Sequence, residues 1–192
     1  MRKKLISILL MVTLLFTMST TVVLAETLTV HNSEINQVYL VKAKGTVKWT
    51  SSNKKIATID KKGNVKGIKA GTVTIKGTSK KYKGTCKMKV LSYYENYKAI
   101  PDFGAMFGVL RKSRAVDDMG VVVVKYKVKN NKTAKSYLVT YVKKLKKEGY
   151  VLTPSEDGDE VWVKDDRYYV YAEVNNSTIK VEYADINELD LL

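Results

Sequence analysis

Between residues 47 and 90, apolar and polar side chains repeatedly alternate with a period of two. Val47 and Trp49 alternate with Lys48 and Thr50, Val73 and Ile75 with Thr72, Thr74 and Lys76, and Cys86, Met88 and Val90 with Thr85, Lys87 and Lys89. Successive side chains of a strand point to opposite faces, so this pattern gives strands with one face in a core and the other in water. Turn formers separate the runs at Ser52-Asn53, Lys62-Gly63-Asn64, Ala70-Gly71 and Lys83-Gly84. Short strands at that spacing predict an antiparallel β-sandwich.

Charge divides the chain at one point. Residues 26–91 hold 15 lysines against Glu26, Glu34 and Asp60, a balance of +12, whereas residues 92–192 hold 16 basic and 16 acidic side chains and are neutral. Composition shifts at the same place, with 11 of the 13 tyrosines falling after Leu91. An asymmetry of this size predicts two units, 26–91 and 92–192, with different surfaces. Before them, Arg2-Lys3-Lys4 precedes the apolar run Leu5–Phe16, and Val23-Leu24-Ala25 follows. That order of features predicts a secretory signal peptide over residues 1–25. An uncleaved anchor is the alternative, because Leu5–Leu24 has about the 20 residues needed to span a bilayer. The expectation is a secreted or cell-surface protein that meets the membrane only transiently, through its leader.

Five segments of the first unit carry a resemblance: Val47–Asn53, Ile56–Asp60, Gly63–Gly67, Lys69–Ile75 and Cys86–Val90. In order and spacing they resemble the bacterial Ig-like domain, group 2. The resemblance implies an Ig-like sandwich, a spacer or presenter role of the kind found in adhesins, and no catalytic residues. Trp49 is expected as a core filler, and Gly63 and Gly71 as turn residues with positive φ. The phase of Cys86 places it on the buried face as an inert thiol, with an intermolecular disulfide as the alternative. His31, with no second ligand type around it, is expected to be solvated.

In the second unit, the β-branched run Val121–Val128 predicts a buried strand. Tyr137, Leu138, Tyr141, Val142 and Leu145 then recur at helical spacing, with Thr133 or Asn131 as cap and Gly149 as the stop. Strands over 150–153, 160–164, 168–174 and 178–183 complete a small α+β domain of strand, helix and antiparallel meander. The stretch also loosely resembles a small domain of clostridial-type secreted proteins, through Ile100–Gly104 and Tyr141–Tyr150. No chemistry follows from that likeness. The fold expected for the whole chain is therefore mainly β.

Few residues suit catalysis. One histidine and one cysteine exclude a Cys/His zinc site and a disulfide framework, and no nucleophile elbow, phosphate loop or HExxH helix is present. The acidic runs Glu156–Glu160 and Asp165-Asp166 lack a full calcium loop and are expected to be solvated turns. A hydrolase would need two of Asp102, Asp117, Asp118, Glu160 and Asp165 in one concavity. No enzyme activity, metal or cofactor is expected, and a secreted hydrolase or inhibitor acting through residues 92–192 is the alternative. For ligand contact the candidates are Trp162, Tyr168, Tyr169 and Tyr171 on the meander, with Phe103 and Phe107 in a segment, 101–110, expected to be a loop. For electrostatic contact they are Lys48, Lys76, Lys87 and Lys89. The expected partner is a cell-wall polyanion or a surface glycan or protein, reached by a salt-sensitive field. Nucleic acid is not expected, since aromatics and arginines do not interleave those lysines.

Overall fold

The computed structural model describes residues 21–40, 43, 45–154 and 160–189, with the backbone alone for 21–26. The apolar run Leu5–Phe16 and most of the acidic turn, residues 156–159, lie outside the described residues. Seven strands form the first unit: β1 (Thr21–Val30), β2 (Ile35–Gln37), β3 (Lys48–Ser51), β4 (Ala57–Ile59), β5 (Asn64–Gly67), β6 (Gly71–Thr78) and β7 (Lys83–Val90). They make two sheets, one ordered β1-β7-β6-β3 and the other β2-β5-β4. Between them lies a core of Val30, Ala57, Val65, Val73, Ile75, Met88 and Val90, which are the inward positions of the period-two runs.

Most pairings are antiparallel, as the turns require, but β1 runs parallel to β7. The expectation of a purely antiparallel sandwich is corrected at this edge: a first strand that joins the last by a long connection is free to run beside it in the same direction. Thr21 at the start of β1 falls inside the segment expected to be a leader, so leader and fold overlap over residues 21–25. Gly63 and Gly71 take φ of 86° and 150°, as their turns demand. Trp49 packs against this core and lies opposite Gly77 on β6, where a Cβ would come 2.5 Å from the indole ring. Only glycine lets the ring lie down on the neighbouring strand.

The second unit begins with β8 (Tyr93–Tyr94), β9 (Tyr97–Pro101), α1 (Phe103–Phe107), β10 (Arg111–Val116), β11 (Val122–Lys127) and α2 (Asn131–Lys147). It closes with β12 (Val151–Pro154), β13 (Glu160–Lys164), β14 (Tyr168–Asn175), β15 (Thr178–Asp185) and a 3-10 turn at Ile186–Glu188. A six-stranded antiparallel sheet, ordered β10-β11-β15-β14-β13-β12, carries α2 on one face. The side chain of Asn130, rather than the expected Asn131 or Thr133, caps α2 by accepting from Thr133 N, and Gly149 at φ 91° follows its end. On β11 burial alternates, with Val122, Val124 and Tyr126 inside and Lys125 and Lys127 outside, so the strand is buried on one face. The 101–110 segment is helical at its centre: Asp102 caps α1 through Ala105 N, and Gly108 ends it at φ 70°.

Tyrosine builds this second core. Tyr94, Phe103, Tyr126, Tyr141, Tyr150, Trp162 and Tyr183 pack with Val122, Val124, Leu145, Val170, Ile179 and Val181. Tyr94 stacks on Tyr183 with centroids 4.0 Å apart, and Phe103 meets Tyr126 at 5.0 Å and Tyr141 at 5.3 Å. Buried hydroxyls need partners. Tyr141 donates to Pro101 O at 2.8 Å, Tyr150 to Ala99 O at 3.1 Å, and the Tyr94 and Tyr126 hydroxyls bond each other at 3.1 Å. Burial pushes the pKa of all four well upward, so they remain hydroxyl donors rather than phenolates.

Candidate functional site

The strand pairings put the lysines of the large sheet in the first unit on one surface. Because Ile75, Val73 and Met88 face the core, their neighbours in sequence face water, and register then fixes which of these stand side by side. Lys83, Thr78 and Lys48 form one row across β7, β6 and β3, and Thr85, Lys76 and Thr50 form the next. Thr27, Lys87 and Thr74 make a third row across β1, β7 and β6, and Thr29, Lys89 and Thr72 a fourth. All twelve are lysine or threonine. All five lysines are exposed, and among the described side chains no acid interrupts the array. Lys48, Lys76 and Lys87 occupy successive strands one row apart, so they line a diagonal with steps of about 7–8 Å. The four lysines singled out in the sequence thus share one face, and Lys83 joins them.

The six aromatic candidates do not form one surface. Phe103 is fully buried and Trp162 is 7% exposed, both within the second core, while Phe107 stacks on Tyr137 with centroids 4.2 Å apart. Tyr168 packs against the same core on the helix side of the sheet, with the Arg167 guanidinium 5.0 Å from its ring. Tyr169 and Tyr171 alternate with the buried Val170 and lie on the other side, both half-buried. Tyr171 pairs with Glu182, and the Lys180 ammonium lies 5.2 Å from its ring while bridging Glu173 at 2.6 Å and Glu182 at 3.0 Å. An aromatic-rich sequence resolves into a core plus a two-tyrosine outer face because a small domain has few apolar residues with which to fill its interior.

The acids separate in the same way. Asp102 is buried, whereas Asp117, Asp118, Glu160 and Asp165 are exposed. Asp117 accepts from Met119 N and Val121 N and closes a turn, and Asp165 and Asp166 take φ of 56° and 50° in another. Among the described residues no three His, Cys, Asp or Glu side chains gather as a metal site. Cys86 is half-buried opposite Ile75, and burial pushes its thiol pKa up, away from the reactive thiolate.

Sequence reasoning missed the polar joint between the two cores. Asn32, fully buried, donates through Nδ2 to Ile68 O at 2.6 Å and to Val109 O at 3.0 Å, one carbonyl from each unit. Ser33, held at φ 63°, donates to Asn32 Oδ1 at 2.8 Å and accepts from Arg111 N at 2.8 Å. The Arg111 guanidinium spans Asn32 O and Glu95, and Ala70 N donates to Ala105 O at 2.8 Å. His31 is not free in solvent: its Nδ1 lies 2.9 Å from Tyr93 O and donates to it. Gly104 is required here, because a Cβ would come within 2.7 Å of Asn32 Oδ1, Val109 O and Tyr126. The signal available in the sequence was only the crowding of Asn32-Ser33 and Gly104, too local to show what they touch.

Asp102 sits behind this joint, its Oδ1 accepting from Ala105 N at 2.9 Å and its Oδ2 buried without a partner. Burial raises its pKa above 3.8, opposed by the Ala105 N–H and the Arg111 charge. The folded state therefore holds the proton to higher pH than the unfolded one, so this carboxyl favours folding at acid pH. That contribution is lost as pH rises through the folded pKa. Asp102→Asn keeps a good capping acceptor and carries no charge. It is expected to flatten the stability profile just above the ordinary carboxylate range, measured by denaturant unfolding at stepped pH. An unchanged profile would assign the pH dependence to other carboxylates.

The first unit is, by topology and core, an Ig-like β-sandwich. Residues 12–90 match the bacterial Ig-like domain (group 2), a family that occurs in extracellular and surface proteins. The match starts within the expected leader, nine residues before β1. Among curated proteins, a 34-residue stretch is 65% identical to a 3-O-alpha-D-galactosyl-alpha-L-arabinofuranosidase of Bifidobacterium longum subsp. longum. That stretch is 18% of this chain and spans 3% of the enzyme's length, so the likeness is of one segment. Among the described residues no helix is long and apolar enough to cross a membrane.

Proposed function

We propose that the protein is an exported, non-catalytic binding protein of the bacterial surface. Its Ig-like unit contacts the anionic envelope, and its second unit presents the sheet face bearing Tyr169 and Tyr171 to a glycan or protein. The observation that supports this best is the acid-free array of five exposed lysines among threonines, on a unit whose balance is +12. A surface of one sign raises the local concentration of counter-charged polymers and speeds their encounter. Lysines also guard sheet edges against aggregation, as Lys48 does on the edge strand β3, but the other four stand on β6 and β7, central strands with no free edge to guard. The polar joint suits presentation, since Asn32 and Arg111 bond groups of both units and fix the second relative to the first.

The test is retention of the full chain on purified sacculi with and without teichoic acid. Retention on the intact wall, lost on stripped wall and at high salt, is the expected result. Equal retention on both, or none at low salt, overturns the envelope contact.

A further inference from the structure

The Lys/Thr face is a lattice with a definite spacing, and its ligand should share that spacing. We propose that it binds a linear polyol-phosphate polymer lying along the diagonal Lys48–Lys76–Lys87, one phosphate to each ammonium. This rests on the envelope-binding reading above and specifies the ligand class. Steps along the diagonal are about 7–8 Å, set by one strand across and one pleat along. A three-carbon polyol phosphodiester has six backbone bonds per repeat and extends about 7 Å, the reach of two amino-acid residues. Phosphates of such a chain therefore repeat at the spacing of the lysine positions along the diagonal without coiling. Thr50, across from Lys76 on β3, and Thr74, one pleat along β6, are exposed and supply hydroxyls that bond phosphate and polyol oxygens alike. The described side chains of this face are lysines and threonines, with no ring to block a narrow polymer and no acid to repel it. A polyphosphate, with much denser charge, has no such match and responds to the overall field alone.

The experiment moves one charge and keeps the total. Lys76→Thr combined with Thr74→Lys shifts the central cation one pleat along β6, directly beside Lys87, and opens a gap from Lys48. Both positions are exposed, so the core is untouched, and thermal unfolding checks the fold. A second pair, Lys48→Thr with Thr50→Lys, breaks the same diagonal from the other end. Binding of the full chain to poly(glycerol phosphate), to inorganic polyphosphate and to phosphatidylglycerol vesicles is measured at one ionic strength. Each swap is expected to weaken poly(glycerol phosphate) binding about fivefold, the worth of one well-placed surface pair, and to leave polyphosphate binding unchanged. Swapped proteins that bind poly(glycerol phosphate) as the parent does overturn the register, while the general envelope reading survives. Binding to vesicles alone overturns the polymer in favour of a lipid headgroup. A parent that binds none of the three overturns both proposals.

Discussion

Reversing Lys48, Lys76, Lys87 and Lys89 to glutamate is expected to weaken retention on teichoic-acid-bearing sacculi about a thousandfold. Four attractions vanish and four repulsions replace them. At roughly 0.5 kcal/mol for each exposed pair the change is about 4 kcal/mol, or about three decades in affinity. All four side chains are exposed on one sheet, so folding should survive, and near-unchanged thermal unfolding confirms it. The parent carries a second signature. Five lysines displacing counterions from a flexible anionic chain give a log–log salt slope of about −3 to −4, so a fourfold rise in salt costs about a hundredfold in affinity. A reversal variant within threefold of the parent would show that the contact lies elsewhere on the molecule.

Asn32→Ala is expected to destabilise the protein by about 2–3 kcal/mol, because it strips the donor from two carbonyls, those of Ile68 and Val109. Asn32→Asp should be worse, since a carboxylate would then face both carbonyl oxygens inside a buried site. The effect has two readouts. Denaturant unfolding measures the loss of stability, and nuclear relaxation reports whether the two units still tumble together. Greater motion of one unit against the other in Asn32→Ala is the expected result, since Arg111 N–Ser33 and Ala70 N–Ala105 O still join them. A change under about 0.5 kcal/mol with shared tumbling would assign the joint to Arg111, whose guanidinium also reaches Asn32 O and Glu95.

What the sequence made legible followed periodicity. The alternating runs of residues 47–90 became β3, β6 and β7 with the expected faces inward, and the meander after Gly149 fell within a residue or two of the expected strands. The four lysines were correctly placed on wet faces, since a polar position on an alternating strand has nowhere else to point. Their union into one array depends on register, which needs the partner strand. β10 escaped notice because Lys112 to Val116 are all exposed and show no alternation: it is an edge strand with little buried face to record. α1 escaped because five residues are too few to display a helical period. The aromatic candidates of the meander divide between two faces for a different reason. Trp162 and Tyr169 sit on neighbouring strands, but on opposite sides of the sheet, and only pairing of Trp162 with Val170 reveals it. The joint was illegible in principle: Asn32 and Val109 are 77 residues apart, and hydrogen bonds across such distances leave no local pattern.

The parallel pairing of β1 with β7 decides how the Ig-like unit bears tension. A pull on the start of β1 and on the exit of β7, toward the second unit, draws two parallel neighbours in opposite senses along their own length. The paired positions, from Thr21 with Lys83 to Val30 with Val90, then share the load together instead of parting one at a time like a zipper. A molecule held before β1 and drawn by its second unit is strained in that direction, along the grain of the sheet.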